Sequence, residues 1–269
     1  MTPILHYYNM ATGVVAFSTT RRGGCSTGQY AEFNINRYCG DDPQHIVDNR
    51  KSLCQLLGIS DDRLLMPHQT HETRVARIDE DFLALTSDER QARLEGTDAV
   101  MTDVPCVCIG VSTADCIPIL LYDPRHRASC AVHAGWRGTL SRIAEKAVTA
   151  MKEAYGTQPS DLTAQIGPGI SLDSFEVGQE VYDLFVEEFG VSIPATQKEE
   201  YSEESPQRGR VKPHIDLPEC NRRQLIASGL NPDNIALCGI CTFKQYDTFF
   251  SARRIGIQSG RIFTGIIIK

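Results

Sequence analysis

Two imidazoles and a thiol stand in three short segments of this chain: His71 in QTH (69–71), Cys116 in ADC (114–116) and His133 in HAGWRG (133–138). Each lies at the end of an apolar run or beside a tight turn. Nitrogen and sulfur donors of this kind suit a borderline-soft cation, zinc above all. A protein shell of only three ligands leaves a fourth coordination position open, which is the catalytic rather than the structural pattern. The three residues are far apart in the chain, so the fold must bring them together. Spacing alone leaves a second reading open. With ten cysteines and seven histidines the chain offers many such triples, and Cys116 beside IPILL and His133 at a strand end are equally readable as core residues.

HAGWRG makes a separate argument. An apolar strand running through a glycine turn into a helix aims backbone N–H groups at an anion. Gly135 and Gly138 allow close approach to the main chain, and Arg137 brings a planar fork that matches phosphate or carboxylate. A second basic, glycine-rich loop holds Arg21 and Arg22 (20–24, TRRGG). Tight turns and surface ion pairs would explain both segments equally well. Asp115 must point away from Cys116 if that segment is extended, which suits it to orienting a neighbour. Trp136 is the only tryptophan, available for stacking or for packing. Gly167-Pro168-Gly169 reads as a turn, Glu176 as an acid just before a helix, and Arg253, Arg254 and Arg261 as late cations for an anion site or the surface. Cys238 and Cys241 form a CxxC with no following helix and no second pair at matching spacing, so they read as core thiols.

The positioning elements follow from periodicity. A short strand (14–17) enters the loop of Arg21 and Arg22. Asp42 caps a helix with Pro43 in its first turn and Gly58 as its stop. The charged segment 79–95 reads as loop with a surface helix. The apolar runs AVMT, CVCIGV, IPILLYD and ASCAVHA read as central strands, the last two joined as a hairpin through Asp123-Pro124-Arg125-His126. A helix is expected from about 139 to 155, a strand at TAQI, a helix in EVGQEVYDLFVEEFG, a capped helix from Asp216 to Gly229, and late strands in NIALCGICT and GRIFTGIIIK. The polar stretch 195–212 reads as an exposed, mobile loop. Strands and helices mix without a regular βαβ period, which predicts an α+β fold: mixed β-sheets layered with helices.

Composition bounds the partners. The 269 residues carry a net charge of −7, which argues against nucleic acid or an anionic membrane surface as a partner. The start of the chain has no signal-peptide pattern and no apolar stretch is long enough to span a bilayer, so a cytoplasmic enzyme with mostly free thiols is expected.

Taken in order, these motifs resemble the laccase-domain (YfiH-type) family, whose members are named both polyphenol oxidase and purine nucleoside phosphorylase. STTRRGGCSTGQY with FNIN is similar to its N-terminal loop and GDDPQHIVDNR to its first helix. QTH, TDAVMT, STADCIPILLYD and HAGWRGTL resemble its core, and IGPGI, FEVGQEV and FFSARR its closing motifs. The resemblance implies one catalytic domain over residues 1–269 of the CNF/YfiH-like type, with His71, Cys116 and His133 as zinc ligands and catalytic residues. His68, three residues before His71, is the nearest competitor as a ligand. Glu72 stands where the family usually has glycine, SLDSFEV lacks the cysteines often found there, and Ile255 replaces a frequent acid.

The implied reaction is phosphorolysis of purine nucleosides to base and ribose 1-phosphate, with associated adenosine deamination. Purine nucleosides and phosphate are then the partners, with phosphate held by Arg137 together with Arg21 or Arg22, beside Gly135. The general acid is open between His68 and Glu176. A copper-dependent polyphenol oxidase is the alternative, with Cu²⁺ by exchange at the zinc site. Seven histidines cannot furnish both an electron-transfer copper and a separate oxygen-reducing cluster. A metal-free Cys116–His133 hydrolase of cell-wall precursors and a zinc-binding interaction protein complete the alternatives.

Overall fold

The computed structural model describes the backbone of residues 2–202 and 205–269, with side chains of 197–211 left aside. Two sheets carry the architecture. The first runs β1 (Leu5–Tyr8), β2 (Val14–Thr19), β13 (Ile262–Ile268), β6 (Cys108–Thr113) and β3 (Leu64–Leu65) in spatial order. The second runs β12 (Ile235–Leu237), β9 (Thr163–Ile166), β7 (Ile117–Asp123), β8 (Ala128–Ala134), β5 (Ala99–Thr102) and β4 (Val75–Ile78). Both mix parallel and antiparallel pairs: β4 runs parallel to β5, while β7 and β8 form the expected antiparallel hairpin.

Side-chain alternation along the strands builds the layers. In β7, Leu120 and Tyr122 face the first sheet, where they meet Ile109, Val111 and Ile266, while Ile117, Ile119 and Leu121 face helices. Those helices are α5 (Ile143–Tyr155), α6 (Gln179–Phe189) and α7 (Leu217–Ala227), packed through Ala147, Met151, Phe185 and Leu225. The outer face of the first sheet takes α1 (Pro43–Leu57), with Leu53, Cys54 and Leu57 against Phe17 and Phe263. The order of layers is therefore helix, sheet, sheet, helices: an α+β fold of mixed sheets covered by helices. Smaller helices are α2 (Glu80–Ala84), α3 (Ser87–Leu94), α4 (Trp136–Leu140) and α8 (Ala252–Ile255). Among the described residues no helix is long and apolar enough to cross a membrane.

Local chemistry sets the helix ends where expected. The Asp42 carboxylate accepts from the Gln44 N–H at 2.8 Å, Pro43 opens α1, and Gly58 closes it in the left-handed conformation at φ 68°. Two segments depart from expectation. The helix foreseen over 139–155 is two, because Arg142 takes φ 61° between α4 and α5 and turns its guanidinium to Glu145 and Glu188. Most of the stretch 195–212 is strand rather than loop: β10 (Ala195–Ser202) and β11 (Ser205–Ile215) pair as an antiparallel ribbon. Mutual hydrogen bonding satisfies that backbone, and the sequence there is too polar for hydropathy to signal a strand. Glu203 and Glu204, within that expected loop, lie outside the described residues.

Candidate metal centre

His133 is the penultimate residue of β8 and shares the intersheet face with Ala131 by alternation. Its main-chain N–H donates to the Asp98 carbonyl at 2.8 Å, and its Nδ1 donates to the Asp98 carboxylate at 2.7 Å. A carboxylate accepts and does not donate, so Nδ1 carries the proton and Nε2 is directed to the site. The same fully buried carboxylate accepts from the N–H groups of Thr70 (3.2 Å), His71 (3.0 Å) and Glu72 (2.8 Å). Asp98 thus fixes one imidazole directly and the loop of the other through its backbone. It holds His71 at φ 66°, a conformation uncommon outside glycine. The Gln69 amide clips that loop to β6 by two bonds to the Ser112 main chain, at 2.7 and 2.8 Å.

Cys116 arrives from the other direction. Residues 114–116 are the crossing from β6 in one sheet to β7 in the other. Asp115 sits there at φ 86°, and its carboxylate turns away to accept from the Thr242 hydroxyl (2.7 Å) and the Arg253 N–H (2.6 Å). That leaves Cys116 facing the imidazoles. The donor atoms of His71, Cys116 and His133 all lie within 4.8 Å of one another, with Sγ 3.8 Å from His71 Nε2. The two rings stand edge to face, centroids 4.8 Å apart. Among the described residues this is the one cluster of three or more His, Cys, Asp or Glu side chains placed to hold a metal ion.

Gly135 closes the cradle. A Cβ there would lie 2.9 Å from His71 Cδ2 and 3.1 Å from Cys116 Sγ. Since Gly135 has φ −69°, alanine meets no backbone penalty, only this steric one. Gly135→Ala is expected to displace the two ligands and lower zinc stoichiometry while leaving the far-UV circular dichroism unchanged. Full zinc retention with wild-type activity would show that the donors tolerate the methyl group.

The donors are electrically matched. Burial pushes the Cys116 thiol up, but the facing His133 charge and hydrogen bonds from both imidazoles outweigh it and hold the thiol down at about 6. Burial also opposes charge on His133, yet the Cys116 thiolate and the Asp98 carboxylate raise it to about 9. A thiolate and two oriented ring nitrogens are donors of the kind zinc takes, and an ion binding there would take the place of the second proton on His133, so the residues fit the ion.

The cluster opens into a cavity of about 620 Å³ whose other walls include Asn36, Tyr38, His68, Trp136, Phe175 and Arg253, together with Arg261. Arg21 and Arg22 do not line it. Arg21 donates to the Ala31 and Tyr246 carbonyls and stacks on Phe250, and Arg22 pairs with Glu32. Arg137 is exposed, its guanidinium 4.2 Å from the Trp136 ring. Glu176 is off the cavity and pairs with Lys212. Sequence reasoning passed over Asp98, whose only signal was an acid placed directly before the apolar run AVMT. It also undervalued Gly169, where a Cβ would come within 2.4 Å of Ile117 Cδ1 and 3.1 Å of the Asp115 carbonyl.

Comparison with known proteins agrees along the whole fold. The family model described as multi-copper polyphenol oxidoreductase laccase matches residues 15–269. A purine nucleoside phosphorylase of Bacteroides thetaiotaomicron is 44% identical over 254 residues, 94% of this chain and 90% of the relative. Adenosine deaminase RL5, from an unknown prokaryotic organism, is 42% identical over 271 residues, 98% of each chain. The crystal structure of YlmD from Geobacillus stearothermophilus superposes with a TM-score of 0.85 at 30% identity, across 96% of this chain and 93% of that one. Shared sequence and shared fold, each running nearly end to end, make this protein a member of the YfiH-type laccase-domain family.

Proposed function

We propose that the protein is a cytoplasmic, zinc-dependent purine nucleoside phosphorylase that also deaminates adenosine, acting as one catalytic domain. The observation that carries this reading is the His71–Cys116–His133 cluster opening into a cavity of nucleoside size. The relatives named for these two activities supply the reaction class. His71 and His133 through Nε2, and Cys116 through its thiolate, would hold the ion, with Asp98 keeping both imidazoles in place. Bound there, zinc supplies a Lewis acid that activates water or polarises a group on the nucleoside.

The chain's own residues do the rest. Arg253 and Arg261 are the guanidinium groups on the cavity wall, and both donate to backbone carbonyls rather than to carboxylates. Their charge therefore stays available to phosphate, and we assign them that role ahead of Arg21 and Arg22. Arg137, expected in this role, is not among the wall residues: it lies exposed, with its guanidinium 4.2 Å from the Trp136 ring. Phe175 would give flat apolar surface to a purine ring, while Tyr38 already stacks one ring face on His68.

Protein purified without added metal should contain zinc and release adenine from adenosine only when phosphate is present. His126→Ala, a change in the β7–β8 turn, should behave as wild type. Equal release without phosphate would replace this reading with a hydrolase. One observation favours that second reading: Asp98, His133 and Cys116 also form a carboxylate–imidazole–thiolate series that could activate sulfur as a nucleophile. Activity surviving complete removal of metal would decide for it. As for oxidase chemistry, the one cluster of three donors among the described residues matches copper bound by exchange rather than the several centres of a multi-copper enzyme.

A further inference from the structure

His68 lines the same cavity as the metal cluster but takes no part in it. Three contacts fix it. Its backbone is pinned on both sides, the N–H donating to the Leu94 carbonyl at 3.1 Å and the carbonyl accepting from the Thr97 N–H at 3.2 Å. Its Nδ1 lies 2.7 and 2.9 Å from the two Glu95 carboxylate oxygens. Its ring face stacks on Tyr38, centroids 3.9 Å apart and planes 19° from parallel. With Nδ1–H committed to Glu95, Nε2 is the ring nitrogen left for a ligand in the cavity.

An imidazole oriented by a carboxylate, on a cavity wall, with a defined nitrogen forward, is the arrangement that moves protons to and from substrates. Three other titratable groups nearby are engaged differently. Both Asp115 oxygens accept from the 242–253 segment, Cys39 donates to the Asn36 carbonyl, and Glu176 lies off the cavity against Lys212. Phosphorolysis needs such a donor, because a purine expelled with the electron pair of its glycosidic bond is a poor leaving group unless it is protonated.

We infer that His68, oriented by Glu95 and steadied by Tyr38, is the general acid that protonates the departing purine. The inference rests on the phosphorylase reading above. A phosphate oxygen forms the new bond to C1′ as the C1′–N9 bond breaks, and the electron pair of that bond passes to the purine. The proton on Nε2 of the imidazolium goes to N7 of the base. The base departs neutral, ribose 1-phosphate carries the sugar, and the imidazole regains a proton from water.

His68→Gln tests this, because glutamine keeps a polar side chain of similar reach and transfers no proton. With inosine and phosphate, kcat should fall by about 10²-fold, the ordinary worth of a positioned general acid. KM, zinc content and inosine affinity measured calorimetrically without phosphate should stay at wild-type values. Glu95→Gln should give a smaller fall in kcat. N7-methylinosine, whose base leaves without needing a proton, should be cleaved by His68→Gln at close to the wild-type rate. Unchanged kcat on inosine, a loss expressed only in KM or affinity, or equal losses on the two nucleosides would each overturn the assignment. A wild-type protein inert toward both nucleosides with phosphate would remove the phosphorylase reading and this inference with it. An active wild type with an unaffected His68→Gln would remove this inference alone.

Discussion

Cys116→Ala is expected to come through purification without zinc and without phosphorolysis or deamination. The substitution removes one of three donors, the anionic one, and leaves two imidazoles that bind zinc far more weakly. The drop in affinity should exceed the ~10- to 100-fold that loss of an outer hydrogen-bonding partner costs. Atomic absorption and a chelator competition measure it directly. The same change carries a pH signature in metal-free protein. The folded thiol is held at about 6, below its ordinary unfolded value of about 8.5. Its contribution to stability is therefore fully present above the unfolded value and is lost as pH falls through the folded one. Metal-free wild type should lose melting temperature as pH falls through this region, and Cys116→Ala should show no such loss. Zinc release from the wild type should follow the same acid limb, since protons and metal compete for the sulfur. A Cys116→Ala protein that keeps full zinc occupancy would end the three-ligand assignment.

Asp98→Asn should be the second most damaging change, although Asp98 is not itself a metal ligand. Its buried carboxylate accepts from four donors, three backbone N–H groups and His133 Nδ1. An amide presents an NH₂ to at least one of them. If that group faces His133, Nδ1 must become the acceptor and Nε2 the protonated nitrogen, so the ligand lone pair is lost. If it faces the loop, a buried N–H loses its partner. Leaving a buried polar group unpaired costs about 1–3 kcal/mol, and zinc affinity should fall ~10- to 100-fold. Burial works against a charged Asp98, but the imidazole and backbone N–H groups outweigh it and hold the carboxyl below the usual range. The stability difference between wild type and Asp98→Asn should then be present above the ordinary carboxyl value and close as pH falls through the depressed one. Wild-type melting temperature together with wild-type zinc affinity would overturn the role given to Asp98.

Some of this was legible in residue order because it depends on near neighbours. The α1 start needed only Asp42, Pro43 and the hydrogen bond two residues on. The β7–β8 hairpin needed two β-branched apolar runs and an Asp-Pro turn. The types of the three donors, two imidazoles and a thiol, already pointed to a borderline-soft cation. The family resemblance then singled out His71, Cys116 and His133 from the other histidines and cysteines. Arg142 shows the limit of periodicity: the helical pattern runs through it, yet it takes a left-handed turn with its guanidinium on Glu188 of another helix.

What residue order determined by itself was chemistry and local form: donor types, caps, strand alternation and a fold mixing sheets with helices. Only the tertiary structure decided that β6 and β7, adjacent in the chain, belong to different sheets, so that 114–116 bridges the two layers and delivers Cys116 between them. It alone revealed Asp98 as the post tying the loop of His71 to the strand of His133. It also placed Arg253 and Arg261 on the cavity wall and committed Arg21 and Arg22 to contacts elsewhere. The reason is one of range. Caps and pleats arise from contacts a few residues long, whereas the convergence of positions 71, 98, 116 and 133 depends on the packing of two whole sheets, which no local pattern encodes.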